Sequence, residues 1–311
     1  MAERVVIATR GSKLALIQAE WVAGRLRELH RGVEFAIEII KTAGDKVQSA
    51  PFAQVGAMGV FVREIENALA DGRADVAVHS LKDLQTELHP ALEIGAMPER
   101  ESARDALISR DGAVFAKLRD GAIIGTSSAR RRGIIAAEGR GFEIRECRGN
   151  VPTRIEKLRR GEYDAVILAE AGLRRMGMES GITEYLDIEQ FVPAVGQGAL
   201  GIEIRKNDER ISGLVKPLND EKTYIACTEE RAFLAAIGGG CHAPVGGYMH
   251  FDNGQAVFHA FAGTCDVSWA IRKKLCVKMN DAEGIGLRMA EEIRNSPGSG
   301  AFFEEAARDA C

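Results

Sequence analysis

Short apolar segments alternate with amphipathic helical segments through the first two thirds of the chain, and this alternation restricts the chain to few folds. A strand-like run at 5–8 leads through a loop into a helix at 14–29, and a strand at 35–40, a helix at 60–70 and a strand at 76–78 follow. Such alternation is typical of parallel sheets with helices on both faces. The sequence therefore predicts an α/β architecture.

The same alternation resumes at 123–168, and the two stretches are separated by segments rich in charge, proline or glycine at 98–104 and 191–201. We interpret these segments as two crossings between α/β domains that surround a cleft. After residue 220 the pattern changes to a helix, a hairpin turning at 252–254 and two further helices, which is typical of a small α+β domain. The predicted domains are 1–98 with 199–217, then 103–192, and finally 221–311.

Composition excludes several classes of function. With 46% hydrophobic and 28% charged residues, the 311-residue chain is typical of a folded protein. A net charge of −4 and an aromatic content of 6%, with no aromatic residue among Arg130–Arg132, argue against nucleic-acid binding. There is no apolar run of the ~20 residues that a spanning helix needs, no export signal and no C-x-x-C pair. We expect a cytoplasmic protein with free thiols, no metal site and no membrane partner.

Positive charge is concentrated in one region of this acidic chain. Residues 130–160 contain ten Lys or Arg against four Glu, a local charge of +6. Such an island often binds a particular anion, although a solvated arginine-rich helix face is the simpler alternative. The ten basic residues are Arg130, Arg131, Arg132, Arg140, Arg145, Arg148, Arg154, Lys157, Arg159 and Arg160.

Two predicted strands of this island end in polar, glycine-containing turns that open helices. At 125–128, GTSS combines backbone N–H groups, hydroxyls and a positive helix end, with Arg130 and Arg131 one turn further on. At 148–150, RGN repeats the layout. Ordinary N-capping by Ser128 is the alternative. However, three consecutive arginines near a helix start oppose the helix dipole, so we expect an anion to compensate them.

Two further segments carry reactive groups. HSLKD at 79–83 follows a strand and places the amine of Lys82 beside the carboxylate of Asp83, a candidate acid or base, although a surface ion pair is an equally ordinary interpretation. Cys241 follows three glycines, which favours a thiol presented on a loop over a buried cysteine. An activated pair of Cys241 with His242 is disfavoured, because adjacent side chains on an extended loop point apart.

With these motifs in order, the chain resembles the porphobilinogen deaminases over essentially its whole length. The matching segments are ATRGSKLAL at 8–16, Gly44-Asp45, Phe61-Val62, HSLKD at 79–83, GTSS at 125–128 with Arg130 and Arg131, RGNV at 148–151 with Thr153 and Arg154, VPAVGQG at 192–198, and GGC at 239–241. The resemblance implies two type II periplasmic-binding-protein-like α/β domains and a small α+β domain that carries a cofactor cysteine.

The resemblance also implies the chemistry. A monomeric enzyme would join four porphobilinogen molecules on a dipyrromethane cofactor, one per chain, held by a thioether at Cys241. Asp83 would be the catalytic acid and base and would stabilise a cationic intermediate. The cofactor would be bound by Lys82, Asp83, Thr126, Ser128, Arg130, Arg131 and Arg148, and the substrate by Arg10, Ser12, Arg148, Arg154 and Gln197.

Five positions depart from the usual pattern of the family. Gln54 and Met58 replace lysines, Gln85 a proline, Pro152 a glycine and Gly238 a glutamate. A diverged paralogue that acts on a related pyrrole, and a non-catalytic small-anion binding protein of the same fold, are therefore the alternative functions.

Overall fold

A computed structural model describes residues 3–40, 62–238 and 243–309. The chain forms two compact units, Met1–Glu101 with Ala199–Tyr224, and Ser102–Gly198 with Ile225–Cys311. Among the helices of the described ranges, none is long and apolar enough to cross a bilayer.

Strands and helices alternate as the sequence predicts. The strands are β1 (Glu3–Thr9), β2 (Val33–Ile39), β3 (Val76–Ser80), β4 (Leu92–Ala96), β5 (Asp105–Ser109), β6 (Ile123–Gly125), β7 (Glu143–Arg145), β8 (Ala165–Ala169), β9 (Glu184–Tyr185), β10 (Leu200–Arg205), β11 (Val245–Asp252), β12 (Gln255–Gly263) and β13 (Ala270–Lys278). The helices are α1 (Lys13–Leu29), α2 (Arg63–Ala70), α3 (Ala129–Ala137), α4 (Val151–Arg159), α5 (Glu170–Arg175), α6 (Glu209–Val215), α7 (Glu221–Ile237), α8 (Ile285–Arg294) and α9 (Gly300–Asp309).

The first unit contains a five-stranded sheet in the order β2-β1-β3-β10-β4. Helix α1 turns Ala19, Val22 and Leu26 toward this sheet, where they pack with Val5 and Ile7 of β1 in a fully buried core. Ala68 and Leu69 of α2 belong to a second buried cluster, together with Ala8 and Ala77 from alternate positions of β1 and β3. Side chains from both faces of the sheet are therefore buried.

The second unit contains a five-stranded sheet with the equivalent order, β7-β6-β8-β5-β9. In each sheet the strand that follows a crossing segment, β10 or β5, lies between the third and fourth strands and runs antiparallel to its neighbours. This repeated order confirms the predicted class, two α/β domains of the type II periplasmic-binding-protein kind. The predicted parallel pairing joins β1 to β2 and β3, and β6 to β7 and β8, whereas β5 and β10 make each sheet mixed. Two consecutive strands can be parallel neighbours only if a crossover connection joins them within one sheet. Strands β5 and β10 follow the segments 98–104 and 191–201, which join the two units, so no such connection sets their direction.

The second unit also holds the antiparallel sheet β11-β12-β13. Its inner face packs Met249 and Phe258 against Phe233 of α7 and Met289 of α8. The predicted hairpin turn is confirmed: Asn253 and Gly254 have φ of 48° and 77°, the left-handed values that a tight hairpin uses. Strand β13 was not predicted. The three predicted domain boundaries stay a prediction.

Candidate active site

The N-terminus of α3 is built as the GTSS motif predicts. Ser128 is the N-cap residue, and its Oγ accepts a hydrogen bond from the backbone N–H of Arg131 at 3.4 Å. The buried Thr126 Oγ1 accepts a hydrogen bond from the backbone N–H of Ser128 at 3.2 Å. At Gly125 a Cβ atom would lie 2.7 Å from the Tyr163 ring, so the turn needs glycine there. Capping and an anion-binding role are compatible at this helix end.

Two arginines on the first turn of α3 are buried, whereas Arg132 is exposed. Arg130 is 4% exposed and Arg131 is 6% exposed. Their guanidinium groups share one carboxylate: Arg130 Nη2 lies 2.8 Å from Asp105 Oδ2, and Arg131 Nη2 lies 2.7 Å from Asp105 Oδ1. Each group also donates to a backbone carbonyl, that of Val192 at 2.7 Å and that of Ile167 at 2.9 Å, respectively.

Asp105 is the residue at this site that sequence reasoning missed. Burial alone would raise the pKa of its fully buried carboxyl group, but the charges of Arg130 and Arg131 and hydrogen bonds from Arg131 and Gln197 hold that pKa well below its usual range. The carboxylate is therefore ionised at any physiological pH. The anion that we expected to compensate the arginine-rich helix start is, in part, this residue of the protein itself.

The arginine pair has unused hydrogen-bond donors. The Nε atoms of Arg130 and Arg131 are buried and, within the described ranges, have no hydrogen-bond acceptor. Since a buried donor without an acceptor is costly, an anionic acceptor beside them is favourable. Two arginines and one aspartate leave a net charge of +1. These features fit a carboxylate-bearing cofactor such as dipyrromethane.

The neighbouring turn, RGN, also forms a helix start. Asn150 caps α4, and its Oδ1 accepts a hydrogen bond from the backbone N–H of Thr153 at 3.0 Å. Arg154 donates from Nε to the Gly149 carbonyl at 2.7 Å. Burial, and after it the charge of Arg131, lowers the pKa of Arg154. Arg148 Nε lies 2.7 Å from Glu146 Oε1 and the side chain is partly exposed.

Not every member of the basic island belongs to this site. Arg140 donates to the carbonyls of Phe115 and Leu118, which is a structural role, and Arg145 and Arg160 form exposed pairs with Glu143 and Glu156. The island therefore divides into the buried arginine pair with its neighbours and an ordinary solvated surface.

The HSLKD motif lies in the first unit, where β3 ends in a 3₁₀ turn at Leu81–Asp83. Lys82 is half-buried and Asp83 is exposed. Within the described ranges, no hydrogen bond or ion pair engages the Asp83 carboxylate, so the alternative of a surface ion pair with Lys82 finds no support there. Preceding the turn, the buried His79 Nε2 lies 3.1 Å from Glu203 Oε2.

The loop before α1 contributes the other two predicted residues of this unit. Ser12 is the N-cap of α1, and its Oγ accepts a hydrogen bond from the backbone N–H of Ala15 at 3.3 Å. Arg10 is half-buried one turn before the helix. The predicted site residues thus divide between the units, with Arg10, Ser12, Lys82 and Asp83 in the first.

Gln197 lies in the crossing segment 191–201 and is buried. Its Nε2 donates to the Ala103 carbonyl at 2.6 Å and to Asp105 Oδ1 at 2.8 Å. The same segment is held by Glu230 of α7, whose carboxylate accepts hydrogen bonds from the backbone N–H groups of Gly196 at 2.7 Å and Met249 at 2.9 Å. The segment is therefore fixed on one side by the arginine network and on the other by the small domain.

Cys241, Gln54 and Met58 lie outside the described residues. Two of the other departures have local explanations. Gly238 ends α7 with a φ of 73°, a left-handed conformation that favours glycine over the usual glutamate. Pro152 occupies the first turn of α4, where proline is tolerated because the N–H has no helical acceptor. Nothing in the structure explains Gln85.

Together, fold and site define a protein of two α/β domains and a small α+β domain with two buried arginines at the start of a helix. Comparison with known families is more specific. Residues 5–213 match "Porphobilinogen deaminase, dipyromethane cofactor binding domain", and residues 224–295 match "Porphobilinogen deaminase, C-terminal domain". The chain belongs to the porphobilinogen deaminase family, which confirms the family prediction and the dipyrromethane cofactor.

Curated relatives agree with this assignment. Porphobilinogen deaminase of Roseiflexus sp. (strain RS-1) is 42% identical over 298 residues, 96% of this chain and 98% of the relative. That of Maridesulfovibrio salexigens is 44% identical over 290 residues, 93% and 94% of the two chains. Among solved structures, a TRAP periplasmic solute binding protein from Desulfovibrio salexigens is 10% identical with a TM-score of 0.44, covering 76% of this chain and 79% of its own.

Proposed function

We propose that this chain is a cytoplasmic, monomeric hydroxymethylbilane synthase. It deaminates four porphobilinogen molecules and joins them head to tail on a dipyrromethane primer held by Cys241, releasing hydroxymethylbilane and ammonia. The observation that carries the proposal is the family match over 5–213 and 224–295, which favours the enzyme over a binding protein. In this proposal 1–98 with 199–217 and 103–192 are the α/β domains, and 221–311 carries the primer.

The charge of the substrate explains why the site needs fixed cations. Each pyrrole of porphobilinogen carries an acetate and a propionate group, so a chain of linked pyrroles gains two carboxylates with every addition. Bidentate arginine–carboxylate pairing holds such groups with defined geometry. In this proposal Arg130, Arg131 and Arg148 bind the primer with Lys82, Thr126 and Ser128, while Arg10, Ser12, Arg154 and Gln197 serve the incoming substrate and the growing chain.

Asp83 is the proposed catalytic residue. When bound, the dipyrromethane supplies the free pyrrole carbon to which the first substrate unit is joined. The exposed Asp83 carboxylate, beside the cationic Lys82, is suited to accept and return a proton and to stabilise positive charge on a pyrrole nitrogen. Deamination requires a proton on the leaving amine, and joining two rings releases one from carbon, so a single carboxylate can serve both steps.

The decisive test is the intact mass of the purified protein before and after incubation with porphobilinogen. We expect a covalent adduct of two linked pyrroles on the wild type and no adduct on Cys241→Ser. Cys276→Ser is the matched control, because Cys276 is an exposed free thiol of the small domain, and it should load normally. A wild type that stays unmodified while it binds porphobilinogen reversibly would refute the synthase and favour the binding protein.

A further inference from the structure

We infer that Asp105 is a positioning residue for the reaction: its carboxylate fixes the orientation of the Arg130 and Arg131 guanidinium groups and sets the net charge that they present. The inference rests on the proposed function, because it assigns these arginines to carboxylate binding. Asp105 lies at the start of β5, immediately after the first crossing segment, and it is fully buried.

The carboxylate receives three side-chain hydrogen bonds. Oδ2 accepts from Arg130 Nη2 at 2.8 Å, and Oδ1 accepts from Arg131 Nη2 at 2.7 Å and from Gln197 Nε2 at 2.8 Å. Each oxygen therefore serves a different arginine. Only a carboxylate can accept from both guanidinium groups in this way, because an amide has a single acceptor oxygen.

A second contact completes the orientation of each arginine. Arg130 Nη1 donates to the Val192 carbonyl and Arg131 Nη1 donates to the Ile167 carbonyl. A planar guanidinium that is held at both terminal nitrogens has one accessible orientation. Each guanidinium has five N–H donors, so Nε–H and one hydrogen on each terminal nitrogen are not used by these contacts. Within the described part of the chain both Nε atoms are buried without an acceptor. Asp105 thus fixes the direction of the donors that each arginine retains for a ligand.

The carboxylate also limits the positive charge of the pair. Two adjacent buried cations repel one another, and burial together with the Arg131 charge lowers the pKa of Arg130, while Asp105 raises it. With Asp105 ionised, the pair presents a charge of +1 to a ligand. A single ligand carboxylate would neutralise this charge. The pair is therefore suited to one acetate or propionate group of a pyrrole and not to a doubly charged group.

The network extends into both crossing segments. Gln197 joins Asp105 to the Ala103 carbonyl, and Arg130 joins it to Val192. Rotation of either arginine therefore disturbs the two segments at which the chain passes between the units. Because the arginines are assigned to the primer and Gln197 to the substrate, a change at Asp105 should affect primer loading and substrate affinity more than the chemical step.

The test compares Asp105→Asn with Asp164→Asn. Asp164 is the matched control, because it too accepts from two arginines, Arg110 at 3.1 Å and Arg119 at 2.7 Å, neither of which belongs to the proposed site. For each protein we would measure Tm, the fraction carrying the two-pyrrole adduct by intact mass, and KM and kcat of the loaded fraction. In Asp105→Asn the amide nitrogen faces a guanidinium donor, so at least one arginine must turn away.

We expect Asp105→Asn to carry the adduct on less than half of the molecules and to raise KM about tenfold or more, with a smaller change in kcat. Asp164→Asn should carry the adduct on all molecules and keep the wild-type KM, even if its Tm falls as far as that of Asp105→Asn. Wild-type loading and KM in Asp105→Asn, or equal losses in both variants, would overturn the inference while leaving the synthase intact. An unmodified wild type would instead refute the proposed function.

If Asp105→Asn does not fold, Asp105→Glu decides. This variant keeps the charge of the site but lengthens the side chain by one methylene, so the carboxylate moves and the Arg130 and Arg131 guanidinium groups must reorient with it. We expect KM to rise severalfold and kcat to stay within about twofold. An unchanged KM in a folded Asp105→Glu protein would overturn the inference.

Discussion

Replacing Gly246 by alanine tests how tightly the small domain is fitted to the arginine site. Gly246 lies near the start of β11. A Cβ atom there would lie 2.8 Å from the Val192 carbonyl oxygen, 3.0 Å from that of Pro193 and 3.1 Å from Cδ of Arg130. Two of these contacts are with backbone, which cannot rotate away. The Val192 oxygen is also the acceptor that holds Arg130.

The size of the effect follows from these distances. An ordinary carbon–oxygen contact is about 3.4 Å, so the crossing segment and β11 must separate by roughly half an ångström or more. Overpacking of this kind typically costs about 1–3 kcal/mol, which exceeds the roughly 0.5–1 kcal/mol that alanine gains over glycine in a strand. At about 3 °C per kcal/mol for a unit of this size, Tm should fall by several degrees.

The assay is thermal unfolding together with the fraction of protein that carries the two-pyrrole adduct. Loading should fall, because Arg130 follows its displaced acceptor. Gly213→Ala is the control: Gly213 lies in α6, and an added Cβ meets nothing within 4 Å, so Tm should rise slightly or stay unchanged. A Gly246→Ala protein with wild-type Tm and full loading would refute the reasoning.

Three further predictions concern single side chains. Asp83→Ala should nearly abolish turnover at unchanged Tm, because the carboxylate is exposed and makes no hydrogen bond or ion pair within the described ranges; substantial residual activity would remove Asp83 from the mechanism. Arg131→Leu should stop at primer assembly or elongation, and a wild-type series of stepwise intermediates by mass would contradict this. Burial, His250 and Lys274 lower the pKa of His259 to about 4. Because the unfolded imidazole binds its proton near pH 6.5, stability should fall as pH decreases from about 6.5 to 4. His259→Phe should flatten that part of the Tm–pH curve, and an unchanged curve would exclude His259 as its cause.

Local signals in the sequence predict the helix starts of this site well. Ser128 was recognisable as an N-cap because a short polar residue at a predicted helix start has a direct physical meaning, and the structure shows Ser12 and Asn150 to be caps of the same kind. The hairpin at 252–254 was recognisable for the same reason. Each of these features depends on residues within a few positions of one another.

Features that depend on distant residues were not predictable in this way. Asp105 contacts partners 25, 26 and 92 positions away, and no local pattern distinguishes it from an ordinary strand residue. The antiparallel direction of β5 and β10 follows from the segments 98–104 and 191–201 that lead into them. The residues of the two strands do not indicate it. Strand β13 alternates half-buried and exposed residues, with lysines and an arginine on its outer face, so its apolar signal is weak.

The buried triad of Arg130, Arg131 and Asp105 also restricts how this protein can be stabilised. Three charged groups have been removed from water, and in general a buried ionic cluster is often less stable than well-packed apolar residues of similar volume. Removing one member leaves an uncompensated charge, whereas replacing all three together with apolar residues avoids it. Selection for thermal stability alone would therefore tend to replace the triad as a unit, and under the proposed function the resulting protein would be more stable but unable to hold the primer.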